Sequence, residues 1–282
     1  GSSNESRGLY SVTIAGISNA ATAENTITAG GRNNKATALG AGAFGGASND
    51  ATGTRSLTAG GENNMAAGLE TVTVGGQDNL ASGDLAATLG GRGNIASSDI
   101  AVTVAGIGNR ALAENAVTVG GRSNSATRLG AVAIGGMLNI ASGERSLAAG
   151  GEHNEASGYE SMTLGGRLNT AAGSYSVTIA GIGARATSEN SVVVGGRSNS
   201  ATNTGSVAIG GKQNIASGER SLTLAGIGSR ATSENAVVVG GRSNSATNTG
   251  SVAIGGKSNE ARGERSLTAA GEDNLAYGYE SM

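Results

Sequence analysis

The chain has no cysteine, no proline and no tryptophan, and only one histidine, one phenylalanine and five tyrosines among 282 residues. Without cysteine there are no disulfide staples, no Cys-based zinc sites and no thiol nucleophiles, a composition compatible with export through an oxidising compartment. With aromatics at 2% the large side chains that fill a thick core are missing. Hydrophobic content of 37% is nonetheless too high for a disordered tail, so a thin core of Val, Ile, Leu and Ala is expected. Cationic excess is absent too: a net charge of -2 provides no basic field, which removes nucleic acid as an expected partner. No stretch reaches the roughly 18 apolar residues of a membrane helix, and the start lacks the regions of a signal peptide. Any membrane attachment is therefore expected through segments outside this sequence.

What the chain has in abundance is glycine, 51 in all, distributed with a period. From Ser11, eighteen repeats with a period of 15 run to Glu280 without insertion or deletion. Residues 1–10 read as an N-terminal leader, Gly1-Ser2-Ser3 resembling a vector scar, and 11–282 as a single domain. Residues 191–220 recur at 236–265 with four differences, so whole groups of repeats have been copied. The last repeat is nearly regular and carries no cap, which reads as a piece of a longer chain.

Stacking the repeats turns sequence columns into positions on a wall. Columns 2 and 4 are apolar in 35 of 36 cases and alternate with Ser, Ala and Thr in columns 1 and 3, the pattern of a half-buried strand. The expectation is that columns 2 and 4 point inward. Column 5 is Gly or Ala and column 6 is Gly in all eighteen repeats, marking a bend. Column 9 is Asn in sixteen repeats, with Ala184 and Ser229 the exceptions, and column 11 is always Ala, which predicts a second strand with these two columns inward. Columns 13 to 15, rich in Gly, Ser, Asn and charge, form the other bend. Such a coil is an all-β, parallel β-solenoid. Eighteen coils at about 4.8 Å each predict a rod of about 85 Å, with Asn side chains bonding amide to amide along it.

Ser206-Val-Ala-Ile-Gly-Gly-x-x-Asn-x-Ala-Ser-Gly218 and its counterparts over 11–280 resemble the head repeats of YadA-like trimeric autotransporter adhesins. The resemblance implies a left-handed parallel β-roll of three identical chains, carried on a stalk and anchored in the bacterial outer membrane by a C-terminal barrel. It also implies binding to host extracellular matrix, host cells or other bacteria. The family's collagen-linked motif is matched at its core by Ser206, Val207, Ala208, Ile209 and Gly210 and by Ser251, Val252, Ala253, Ile254 and Gly255. Each copy is preceded by Gly where the motif has Asn, and many family repeats are one residue shorter than these.

Of the remaining chemistry-bearing residues, Tyr159, Tyr175, Tyr277 and Tyr279 fall in bend columns and are candidate ligand contacts. Lone His153 has no partner for a transition-metal site. The Glu-Arg pairs at 144/145, 219/220 and 264/265 read as solvated surface. No catalytic residue, metal or cofactor is expected. Three other readings are a passive spacer displaying a distal domain, an ice-binding solenoid, and a solenoid acyltransferase; the last needs hexapeptide periodicity and a catalytic His.

Overall fold

β-Branched residues favour extended backbone, and columns 2 to 4 form a three-residue strand in every repeat, from Val12–Ile14 to Leu267–Ala269. Columns 10 and 11 form a two-residue strand, from Ala20–Ala21 to Leu275–Ala276. Within each of the chain's two compact units, strands pair in parallel with the same columns of the next repeat, as Val12 with Ile27, Ala20 with Lys35, Val177 with Val192 and Arg185 with Ser200. A third pairing not anticipated from sequence is a single bridge at column 7, as between Arg32 and Ala47. The computed structural model describes all of residues 1–282, which form two compact units, Gly1–Asn139 and Ile140–Met282. Each unit is a parallel β-solenoid with no helix, and together they contain about eighteen turns.

The bends are made by left-handed backbone at columns 5, 6, 8 and 15, for example Gly30 (φ 70°), Gly31 (72°), Asn33 (57°) and Asn25 (59°). Bend amides also join turns: Gly30 N–H donates to Ile14 O at 2.7 Å and Arg32 N–H to Gly46 O at 2.9 Å. The backbone polar groups of the bends are thus satisfied by neighbouring turns, as a buried backbone requires. The two glycine columns differ in their surroundings. A Cβ on Gly61 would collide with Gly76 O and with the Asn64 amide, whereas one on Gly60 would meet nothing within 4 Å. Column 5 therefore admits alanine, as at Ala105 and Ala180, and column 6 does not.

The inward face of the first strand is the opposite of the one expected. Columns 1 and 3 are buried: Ala131 and Ser206 in the first, and Thr58, Thr73, Thr88, Ala133 and Val193 in the third, are all fully inaccessible. Columns 2 and 4, with the Val, Ile and Leu, lie on the outside, half-buried or exposed. The reason is space. The second strand contributes fully buried Ala from column 11 and Asn from column 9, and so short a coil leaves room opposite them only for Ala, Ser, Thr or an occasional Val. Alternation marks two faces of a strand without saying which is inside.

The Asn column is buried as expected, but its bonding is different. Asn34 Oδ1 accepts the backbone N–H of Asn49 at 3.0 Å, and Asn34 Nδ2 donates to Gly30 O of its own turn at 3.2 Å. Side-chain amides pair with backbone, not with each other. Several column 1 hydroxyls close the other bend, as Thr26 Oγ1 donating to Ala23 O at 2.6 Å and Ser191 Oγ to Ser188 O at 2.6 Å, whereas those of Ser56, Ser161, Ser176 and Ser221 are buried without a partner. Column 3 hydroxyls mostly find nothing: Thr58, Thr73, Thr88, Thr103 and Thr118 have buried Oγ1 atoms without a partner.

Residues 1–10 take part in the solenoid. Glu5–Ser6 pairs with Ala20–Ala21, Ser2 bridges to Ile17, and Asn4 Oδ1 accepts the Asn19 N–H at 3.1 Å. Gly1, Asn4 and Gly8 sit at columns 6, 9 and 13, in register with the repeats that follow.

Candidate functional site

Because the first strand is turned outward, each unit carries a row of aliphatic side chains on its surface. In the N-terminal unit it includes Val74 and Ile134, 40% and 41% exposed, and in the C-terminal unit Ile209 and Ile254, 38% and 42% exposed. Column 2 residues such as Val72, Val132, Val207 and Val252 lie half-buried beside them. Contiguous apolar rows of this kind are uncommon on the surface of a lone soluble chain.

The two Ser-Val-Ala-Ile-Gly segments lie on this row, and the structure separates their side chains. Val207, Ile209, Val252 and Ile254 face outward, whereas Ser206, Ala208, Ser251 and Ala253 are fully buried. The serine hydroxyls are occupied inside, donating to Asn203 O and Asn248 O at 2.6 Å each. Gly210 and Gly255 are in the bend with φ of 65° and 61°. Each copy therefore turns two side chains outward.

The tyrosines gather in two places within the C-terminal unit. Tyr159 and Tyr175 meet edge to face with ring centres 5.6 Å apart, and Arg145 Nη1 donates to the Tyr159 hydroxyl at 3.0 Å. Contact with Glu160 is the main reason the Tyr159 hydroxyl titrates above its ordinary range. Tyr277 and Tyr279 are more exposed, each with an arginine over the ring, Arg262 at 5.2 Å and Arg265 at 5.8 Å. The four form no single pocket.

The Glu-Arg pairs are not uniform. Glu219 and Arg220 pair with each other at 2.9 Å, while Arg145 and Arg265 reach to the following turn, to Glu160 at 3.3 Å and Glu280 at 3.5 Å. All are exposed, where such pairs contribute little stability. His153 lies 3.3 Å from Glu152, and no group of three or more His, Cys, Asp or Glu side chains converges anywhere. Asp50, half-buried on the second strand, is held above the usual carboxylate range by desolvation, opposed by Lys35 one turn away. The column 3 threonines are interior, so they present no outward hydroxyl array of the kind an ice-binding face needs.

Fold and surface thus define a parallel β-solenoid repeat protein with an outward aliphatic row. No model of a known protein family matches the chain, and no curated protein matches it.

Proposed function

We propose that this chain is the head region of a bacterial trimeric autotransporter adhesin, attaching to host extracellular matrix, host cells or other bacteria at the outer-membrane surface. In this reading each unit is a left-handed roll, and three identical chains lie side by side with their aliphatic rows together. The observation that carries it is the outward row of columns 2 and 4. A single chain leaves Ile209, Ile254 and their equivalents in water, and association removes them from it. The column pattern of the family's repeats, matched at 206–218, points the same way. The thin interior of Ala, Thr and Asn adds a reason for partners, since it buries few large side chains.

Light scattering on the purified chain, joined to binding assays on collagen, fibronectin, laminin and whole cells, tests the proposal. A trimer that binds one of these surfaces supports it. A stable monomer overturns it, and a trimer that binds none of them identifies a spacer instead.

A further inference from the structure

The net charge of -2 conceals a strong segregation within the C-terminal unit. Column 7 of successive turns reads Arg167, Ile182, Arg197, Lys212, Ile227, Arg242, Lys257, joined by bridges. Where column 7 is isoleucine, column 10 of the same turn is arginine, namely Arg185 and Arg230. Every one of these turns therefore places one cation on the face formed by the first bend and the second strand, and all seven cations are exposed. Columns 7 to 10 of the turns from Arg167 to Arg242 contain no Asp or Glu. Acidic residues of the same stretch, Glu189, Glu219 and Glu234, stand on the opposite bend in column 14.

Carboxylates close the lane only at its ends. Glu152 lies 3.8 Å from Arg167, and Glu272 pairs with Lys257. Between them Arg185, Arg197, Lys212, Arg230 and Arg242 are in no ion pair within the chain. Between Arg185 and Arg230 the surface sinks into an open groove of about 590 Å³, over Ser198 and Gln213. Glycine at column 8, Gly183 and Gly228, removes the side chains that would close it.

We infer that this lane binds a linear sulfated polysaccharide. Turns about 4.8 Å apart spread the cations along about 24 Å of the axis from Arg167 to Arg242, Arg185 and Arg230 set three residues to one side of the column 7 cations, a band suited to an extended polymer carrying anionic groups along its length. Arginine forks bind sulfate oxygens in pairs, and unpaired cations attract a polyanion at no cost of breaking an internal bridge. The lane has no aromatic side chain on which bases could stack, the tyrosines of this unit lying in other columns, so single-stranded nucleic acid is disfavoured. The inference gives the adhesive reading a ligand class. It rests on that reading only for its biological use, because binding is measured on the isolated chain.

The test is titration of the whole chain with heparin, with chemically desulfated heparin and with a single-stranded oligonucleotide of matched charge. Arg185→Ser with Arg230→Ser puts at both sites the residue that Ser200 and Ser245 already supply in that column, so the fold is expected to persist, as circular dichroism will show. Heparin affinity should fall at least tenfold in this variant, fall steeply with salt, and change less than twofold in Arg220→Ser on the other bend. Equal binding of desulfated heparin, tighter binding of the oligonucleotide, or equal losses in both variants overturns the inference. A chain that binds heparin but is monomeric or does not adhere to cells overturns the adhesin reading and leaves this one standing.

Discussion

Thr178 and Val193 are register partners on the first strand, one turn apart and both fully buried, yet the threonine hydroxyl has no partner and the valine has a methyl in its place. Column 3 thus contains its own comparison between a hydroxyl and an isostere. A buried hydroxyl without a hydrogen bond costs about 1 kcal/mol or more. Thr103→Val, whose neighbours Thr88 and Thr118 are equally unpartnered, should therefore stabilise the chain by about 1 kcal/mol. Urea unfolding should show a higher midpoint with an unchanged slope. Thr28→Val should bring no gain, since Thr28 Oγ1 donates to Thr13 Oγ1 at 3.1 Å.

The Asn column predicts a loss and a gain. Asn94 Oδ1 accepts the Asn109 N–H at 3.0 Å, and its Nδ2 donates to Gly90 O at 3.0 Å and Gly106 O at 3.3 Å. Asn94→Ala removes all three and should cost about 3 kcal/mol, at roughly one per bond. Ala184→Asn is the converse: Asn169 already accepts the Ala184 N–H at 2.9 Å, and a new amide at 184 would continue the column toward Asn199. Thermal unfolding should show a rise for Ala184→Asn and a fall for Asn94→Ala.

Adjacent glycines should respond differently to the same change. Gly60→Ala introduces a methyl into open space at φ 71° and should cost about 1 kcal/mol, the usual penalty for a side chain in left-handed backbone. Gly61→Ala drives the methyl into the next turn's carbonyl and the Asn64 amide, and should cost about 4 kcal/mol or prevent folding. Yield of soluble protein and urea midpoints distinguish the two.

Ile100 is a β-branched residue with φ 57° and 46% exposure, so it has strain without much burial to offset it. Ile100→Asn, using the residue found at Asn25, Asn115 and Asn190 in the same column, should stabilise by about 1 kcal/mol. Denaturant unfolding of the variant against the parent gives the answer directly, and an unchanged or lower midpoint would refute the strain.

If the proposed trimer packs through the aliphatic row, charge on that row should abolish association and leave the single chain folded. Ile209→Glu together with Ile254→Glu places carboxylates on the exposed row, and sedimentation should then find monomers with an unaltered circular dichroism spectrum. Ala208→Glu, one residue away but fully buried, should instead unfold the surrounding turns.

Much of this molecule can be read from its columns. The period of 15 sets the turn, because like residues gain most by stacking on like. Gly at column 6 marks the bend, since nothing larger clears the next turn. The invariant Ala at column 11 and the Asn two residues before it mark the inside of the second strand, as Ala36 and Asn34 show by their complete burial. The complement of isoleucine at 182 and 227 with arginine at 185 and 230 is visible in the same columns, but overall composition, with its net charge of -2, hides it.

The direction of the first strand was decided by tertiary structure. Val207 and Ile209 alternate with Ser206 and Ala208, and hydrophobicity alone assigns the aliphatic pair to the core. The closed turn brings strand two so near that only Ala, Ser, Thr or Val fits between, and the larger side chains go outside. Periodicity in sequence determined which residues share a face. The width of the coil, a property of the backbone closing on itself, determined which face is interior and left the aliphatic row outside.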